Sequence, residues 1–571
     1  MTVSDQEIKT IEKYALQNAV KYGKAPQMGA VMGKVMGECP HLRPFAKEVS
    51  AQIKNVIDEI SRGDPDEWNQ RLEEIAPELI EELCTKKEPV KGLKPLDVKE
   101  GEKVVMRFAP NPNGPPTLGS TRGIVVNSEY VKKYNGTFIV RFDDTDPQIK
   151  RPMMEAYDWY VDDCRWLGAE PDMVVKASDH LDTYYRYAEK LIELNRAYVC
   201  FCEGGEFKGY KDSKQPCPHR DHLVEQNMEY WDNMLAGKYD EKQAVLRIKT
   251  DIQHPDPALR DFGAFRIVKT PHPRPEIADR YVVWPLLDFE GAIEDHELGM
   301  THIIRGKDLM DSEKRQKYIY DYLGWEYPRT THWGRIKIHE LGKLSTSDIR
   351  KAIEEGKYSG WDDPRLPTIR AFRRRGIKAD AIRKFMIDMG VGETDISVSL
   401  DSLYSENRKI IDPVSNRYFF VWDPVKVMIS GAPSFNARPP LHPTEDRGIR
   451  EIDVRADPHL LICQKDTENM KVGDKIRLKD LYNIEIESLD PFRAQYLGDS
   501  VEDIKKEKMR IVHWVPENGI SVRVLSPDGE FFGIGEDGIV NELNNTVQFE
   551  RFGFCRIDSV SPDVVAYFTH R

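Results

Sequence analysis

The sequence predicts a multidomain protein: a helical N-terminal segment, a parallel α/β core and an all-β C-terminal region built as a barrel or a pair of barrels. Three observations carry this. Apolar residues in the first 95 positions follow helical spacing. Two strand-like runs, VVMRFAP and TFIVRFDD, flank a Pro/Gly/Asn loop and a helix-like stretch at about 119–134. From about residue 410 the chain breaks into short alternating strands separated by turn residues. A chain of 571 residues is also too long for one hydrophobic core.

The N-terminal segment, 1–95, opens with Ser4-Asp5-Gln6-Glu7, which has the form of a capping box. Ile8, Ile11, Tyr14 and Ala15 continue it at helical spacing, and Leu72, Ile75, Leu79, Ile80 and Leu83 repeat that spacing later. Residues 56–90 hold 11 acidic and 4 basic side chains, which reads first as a solvated helical face. A docking surface for a protein partner is the alternative. The run KKEPVKGLKPLDVKEGEK reads as a linker. After it, the strand–loop–helix–strand order of the core suggests a parallel, nucleotide-binding sheet.

Bulk properties narrow the classes. Hydrophobic residues make up 40% and charged residues 31%, a globular balance. No apolar run approaches the length of about 18 residues expected of a membrane span. The first residues are charged and amphipathic, without a signal-peptide core, so a cytoplasmic location is expected. The net charge of −13 counts mildly against a nucleic-acid partner, although an acidic protein can carry a local basic face.

The eight cysteines are too sparse for a disulfide scaffold. Cys200-Phe201-Cys202 and Cys217-Pro218-His219 cluster, however, and four soft ligands fit a closed, structural tetrahedral zinc site. The bland alternative is three buried thiols and a surface histidine.

The loop from Ala109 to Ser120 lies between a strand and a helix. The free N–H groups and dipole of a helix N-terminus attract phosphate. No Walker sequence or Rossmann glycine triplet is present, so the loop itself reads equally as an anion site or a tight turn.

Longer strings decide between these. RFAPNPNGPPTLGSTRG at 107–123, RFDDTDP at 141–147, THIIRGKDLMDSEKRQKYIYDYLGW at 301–325, LGKLSTSDIRKAI at 341–353, GWDDPRLPTIRAFRRRG at 360–376 and SENRKIIDPVSNRYFFV at 405–421 occur in this order. Together they resemble the archaeal type of glutamyl-tRNA synthetase, within the glutamyl/glutaminyl subfamily of class I aminoacyl-tRNA synthetases. The resemblance runs from about 100 to the C-terminus. It implies a Rossmann-like class I catalytic domain at 100–395, containing an acceptor-binding insertion at about 198–275 and a helical stem-contact region at about 345–395. It further implies β-barrel anticodon-binding domains at 396–571.

The implied activity is ATP-dependent ligation of glutamate to tRNA(Glu), with tRNA(Gln) a further substrate of many archaeal relatives. A glutaminyl enzyme and a catalytically weakened tRNA-binding paralogue are the alternatives. The implied cofactors are ATP as substrate and Mg²⁺. Phosphoryl chemistry of this kind rests on positioning and on donors aimed at phosphate oxygens.

By resemblance, Pro110, Asn111, Asn113, Gly114, Thr117, Gly119, Ser120, Lys343 and Ser345 bind ATP, and Thr117, Ser120 and Lys343 are catalytic. Arg107, Ala109, Asp143 and Arg305 bind the amino acid. The arginines would hold its carboxylates through planar forks, and Asp143 its amino group. Arg305 is the cation expected to tell glutamate from glutamine, because size alone separates them poorly.

Arg370, Arg373, Arg374 and Arg375, with Lys378, form a basic patch expected to touch tRNA phosphates. Some relatives carry zinc in this insertion, which adds to the reading of Cys200, Cys202, Cys217 and His219. Four positions depart from the family pattern. Thr117 and Ser120 stand where histidines are usual, and both residue types also cap helices. Thr346 replaces the second signature lysine, leaving Lys343, with Arg350 or Lys351 near it. Leu287 stands where many relatives carry a tyrosine against the amino acid.

Overall fold

The computed structural model describes residues 4–84, 92–340 and 346–571. The chain divides into two units, Met1–Lys91 and Gly92–Arg571. Among the described residues no helix is long and apolar enough to cross a membrane.

The first unit is helical: Asp5–Tyr22, Met28–Glu38, Ala46–Ile60, Pro65–Ile75 and Pro77–Cys84. Its first helix starts on the expected capping box, with the Ser4 N–H donating to Glu7 Oε2 at 2.7 Å. Ile11, Ala15, Leu16, Val31, Val49, Ile53 and Leu72 pack into its core. Ile75 belongs to the periodic set by sequence yet faces solvent, because the next helix begins two residues later and turns the chain. Leu83 lies where no side chain is described.

In the second unit, Val105–Phe108, Thr137–Phe142 and Met173–Lys176 form a three-stranded parallel sheet in that order. Helix Leu118–Tyr134 connects the first two strands. It packs closely enough that a Cβ on Gly123 would come within 2.8 Å of the Phe108 ring. A second parallel pair, His302–Gly306 with Arg329–Trp333, joins this sheet. The link is Thr301, whose Oγ1 accepts from the Val105 N–H at 2.9 Å and whose N–H donates to Val105 O at 3.1 Å.

Between these halves sits the insertion, an antiparallel sheet of Ala197–Cys200, Val245–Ile248, Phe262–Ile267 and Val283–Pro285. Helix Leu287–Glu297 leads back from it into the core.

The domain boundary expected at 396 is displaced, although the short strands begin close to the expected 410. Strand Ile396–Val398 pairs in parallel with Ile336–Ile338 and belongs to the catalytic half. Helix Leu400–Ile411 follows, capped by the Ser399 hydroxyl, which accepts from the Asp401 N–H at 3.0 Å. Barrel strands begin at Arg417. Arg417–Tyr418 and Phe420–Trp422 are chain neighbours, yet they occupy opposite ends of one seven-stranded sheet whose other strands come from residues 520–570. A second seven-stranded sheet, residues 424–516, is bracketed the same way by Arg510–Val512 and Val515–Pro516. Each sheet is thereby closed through one short stretch of chain. The expected pair of barrels is present.

Candidate active site

Strand Val105–Phe108 delivers Arg107 to the floor of a cavity of about 500 Å³. The following loop is fixed by backbone bonds: Asp143 N–H donates to Pro110 O at 2.9 Å, and Met153 N–H donates to Pro112 O at 2.8 Å. Downstream, Ile369 N–H donates to Pro116 O at 2.9 Å and Leu118 N–H to Pro367 O at 2.8 Å. The GWDDPRLPTIR string therefore buttresses the loop. At Gly114 a Cβ would collide with Thr346 and come within 2.9 Å of the Trp361 ring. The first loop and the end of the second signature thus lie side by side. Lys343 and Ser345 fall outside the described residues.

Of the expected nucleotide residues, Asn111, Gly119 and Ser120 line the cavity, together with the expected Arg107, Ala109, Asp143 and Arg305. Pro110, Asn113, Gly114 and Thr117 shape the loop without lining it. The Ser120 hydroxyl is occupied: it accepts from the Thr117 N–H at 2.9 Å and donates to Thr117 O at 2.8 Å. In this structure it works as a helix cap.

The amino-acid end of the cavity is built around helix Leu287–Glu297, whose residues 288–295 are all buried although four of them are acids. Burying a charge is costly unless it is paired. Asp295 receives Arg107 through two bonds, Nε–Oδ1 at 2.9 Å and Nη2–Oδ2 at 3.1 Å, and Arg141 Nη1 at 2.8 Å. Burial pushes the Asp295 carboxyl up, but Arg107 and Arg141 outweigh it and hold the group below its usual range. Glu294 accepts from Tyr184 at 2.6 Å and lies 2.7 Å from His180 Nδ1. Arg315 donates to Asp288 at 2.8 Å. Sequence reasoning missed these acids. The available signal was the acids Asp288, Glu290, Glu294 and Asp295 set among the apolar residues of one helix.

Arg305 is different. It reaches the cavity from strand His302–Gly306 and is 6% exposed. Both terminal nitrogens donate to Gln316 Oε1 at 3.1 Å, one also to the Tyr327 hydroxyl, and its Nε is buried without a partner. It forms no ion pair among the described residues. Arg107 is thus already compensated, whereas Arg305 holds an unspent buried charge facing the cavity.

In the insertion, Cys200 Sγ lies 3.9 Å from Cys217 Sγ and 4.0 Å from His219 Nδ1, and Cys202 Sγ lies 3.3 Å from the same nitrogen. The four ligand atoms fall within 4.8 Å of one another. Tetrahedral zinc with arms of about 2.0–2.3 Å needs edges of roughly 3.5–3.8 Å, so this donor set fits. A second group, Cys463, Asp466 and His513, does not fit. His513 Nε2 donates to Phe420 O at 2.8 Å, and Arg510 and Arg551 already hold Asp466 at 2.6 Å.

The basic patch divides. Arg370 lies over the Trp159 ring at 5.2 Å. Arg373 pairs with Asp162 at 2.8 Å, and Arg374 with Asp362 at 2.8 Å and Asp558 at 2.9 Å. Arg375 leaves the expected surface: it is 4% exposed and donates to Phe568 O at 3.0 Å, Thr569 O at 2.8 Å and Tyr404 Oη at 3.1 Å. Helix Ile369–Arg374 ends there, and the last residue turns inward to clasp the final strand.

A parallel nucleotide-type sheet, a helix N-terminus beside a cation-bearing cavity, a Cys/His insertion and twin β-barrels give the plan of a multidomain α/β enzyme. Family models agree. The catalytic domain of tRNA synthetases class I (E and Q) matches residues 103–413, and the anti-codon binding domains of the same group match 415–496 and 511–558. The chain belongs to this family.

Relatives named glutamate–tRNA ligase include those of Methanococcoides burtonii, 71% identical over all of both chains, and Methanosarcina mazei, 66% identical over all of both. That of Pyrococcus abyssi is 47% identical over 98% of this chain and 99% of its own. Among solved structures, a glutamate tRNA ligase from Elizabethkingia meningosepticum aligns at 22% identity and a TM-score of 0.37, covering 55% of this chain and 71% of that one.

Proposed function

We infer that this chain is a glutamate–tRNA ligase that activates glutamate with ATP and esterifies it to tRNA(Glu). Full-length identity to enzymes of that name carries the class. The observation that carries the amino acid is Arg305, a buried guanidinium at the cavity wall with no acid of its own. A carboxylate entering the cavity gives it a counter-charge. A glutamine amide leaves it uncompensated, which is the costly mismatch.

The α-carboxylate attacks the α-phosphate of ATP, pyrophosphate leaves, and a terminal ribose hydroxyl of tRNA takes the glutamyl group. The loop 109–120, with Asn111 and the N–H groups at the start of helix Leu118–Tyr134, faces the triphosphate. Lys343 and Ser345 belong to the same grip on this reading. Mg²⁺, when bound, neutralises phosphate charge. Arg107, already paired with Asp295, positions the floor of the site. Arg370, Arg373 and Arg374 face the tRNA stem, where phosphates compete with the acids that now pair Arg373 and Arg374.

Cys200, Cys202, Cys217 and His219 hold a structural zinc that fixes the insertion. The domain plan is a catalytic domain from about 100 through helix Leu400–Ile411 with the acceptor-binding insertion, and anticodon-reading barrels beyond. A cytoplasmic location and charging of tRNA(Gln) alongside tRNA(Glu) belong to the same reading.

Aminoacylation of purified tRNA(Glu) and tRNA(Gln) with labelled glutamate, and separately with labelled glutamine, tests it. Glutamate should be esterified and glutamine rejected. Absence of any product on either tRNA removes the ligase reading.

A further inference from the structure

The two cavity arginines Arg107 and Arg305 are held by different kinds of partner, and the difference rests on one side chain. Arg107 meets an acid, Asp295, through two bonds at 2.9 and 3.1 Å. Arg305 meets an amide. Both of its terminal nitrogens donate to Gln316 Oε1 at 3.1 Å, and the Tyr327 hydroxyl donates to the same oxygen at 2.7 Å. Gln316 comes from helix Met310–Leu323, is 2% exposed and lines the cavity. Arginine only donates, so the amide must turn its oxygen to the fork and its nitrogen elsewhere. Helix Leu287–Glu297 leaves room for that orientation: a Cβ on Gly291 would lie 2.8 Å from Gln316 Nε2.

We propose that Gln316 is a specificity-determining positioning residue: its neutral oxygen holds the Arg305 fork at the cavity wall without cancelling the charge, which stays available for the side-chain carboxylate of the amino acid. This rests on the cavity being the glutamate site and names the residue that keeps Arg305 selective.

Glutamine and glutamate have nearly the same shape, so position 316 could hold the fork with either. They differ in what they leave for a ligand. An acid at 316 would present two oxygens to the two terminal nitrogens, as Asp295 presents two to Arg107, and the pair would be complete before any amino acid arrived. An incoming carboxylate would find the cation already neutralised and a like charge beside it. An incoming amide would leave nothing uncompensated, and the mismatch that rejects glutamine would be gone. The neighbouring acids do not take over this role. Asp295 is shared by Arg107 and Arg141. Glu313, one turn before Gln316 on the same helix, accepts from Lys317 at 2.7 Å. The neutrality of residue 316 therefore decides whether Arg305 reads charge at all.

The test is pyrophosphate exchange by the full chain with tRNA(Glu) present, run with glutamate and with glutamine, beside thermal melting. Gln316→Glu should raise KM for glutamate and cut the glutamate-to-glutamine ratio of kcat/KM by about ten- to a hundredfold, the worth of one charge-assisted bond. It should leave KM for ATP unchanged and melt at or above the temperature of the parent. Gln316→Met removes the hold and keeps the charge, so KM for glutamate should rise while the preference over glutamine stays. In an Arg305→Met background, Gln316→Met should add no further loss, because the residue acts through the fork. A Gln316→Glu enzyme with the parent's ratio overturns the proposal. So does one that melts below the parent, since the acid has then failed to meet the fork, and so does a Gln316→Met enzyme that loses the preference as fully as Gln316→Glu. A parent that exchanges with neither amino acid overturns the reading of the cavity itself; a selective parent beside an equally selective Gln316→Glu enzyme overturns this inference alone.

Discussion

Replacing Arg305 by methionine removes the charge and fork while keeping most of the side-chain length. In the empty structure the guanidinium gives three donations to the neutral Gln316 and Tyr327 side chains and pairs with no acid among the described residues. Asp295 feels its charge, but that carboxylate is already shared by Arg107 and Arg141. Folding therefore bears the desolvation of a cation that only substrate can neutralise. A fork-to-carboxylate contact comprises two charge-assisted bonds of about 1.5–3 kcal/mol each.

Losing them should lower kcat/KM for glutamate by about 10²- to 10⁴-fold. Stability should not fall, since Gln316 keeps its 2.7 Å bond from Tyr327. The assay is pyrophosphate exchange with tRNA present, run with glutamate and with glutamine, beside thermal melting of both proteins. Activity within tenfold of the parent would refute the reasoning, as would an activity loss matched by a large fall in melting temperature.

Three further outcomes are expected. Metal analysis after dialysis should find about one zinc per chain, and chelation or Cys217→Ser should lower the melting temperature, because a structural zinc contributes folding energy directly. Arg375→Met should loosen the last strand by about 1–3 kcal/mol, seen as faster proteolytic trimming of the C-terminus. The salt slope of tRNA binding should stay unchanged, because Arg375 makes no phosphate contact.

His570 should make the same region acid-sensitive. Burial drives its imidazole down to about 4, and its Nε2 lies 3.0 Å from Asn407 Nδ2, a donor that only a neutral ring can accept. The folded value lies below the unfolded one, so the stabilisation is full above pH of about 6.5 and is lost as pH falls toward 4, by about 3 kcal/mol in total. Denaturant midpoints of the parent and His570→Phe across pH 4–7.5 should show this slope only in the parent.

What the sequence disclosed was whatever acts over short range. The capping box at Ser4, the strand–loop–helix at 105–134 and the C-x-C with C-x-H ligands are all local patterns, and the structure has each of them. Arg107 and Arg305 could be found as cations in recognisable strings. Their difference could not, because it depends on Asp295, a residue 188 positions from Arg107 along the chain.

The domain boundary at 396 slipped for a related reason: strand Ile396–Val398 stands beyond it, yet its pairing partner lies at 336–338. The patch IRAFRRRG reads as one basic surface in sequence. Only the helix end at Arg374 and the approach of the last strand show that its final arginine points inward. The acids of helix Leu287–Glu297 were least legible, since long-range arginines, a histidine and tyrosines settle which are ionised and which are satisfied.

The sheet edged by Arg417–Tyr418 and Phe420–Trp422 takes all its other strands from residues 520–570. The barrel at 424–516 is therefore synthesised before that sheet can exist at all. Strand Val564–His570 then slots between Gly553–Ser559 and Ile520–Ser526 as the central stave. Without that strand, Gly553–Ser559 and Ile520–Ser526 would each present an open edge with its backbone groups unmet. One strand thus holds the two halves of the sheet together.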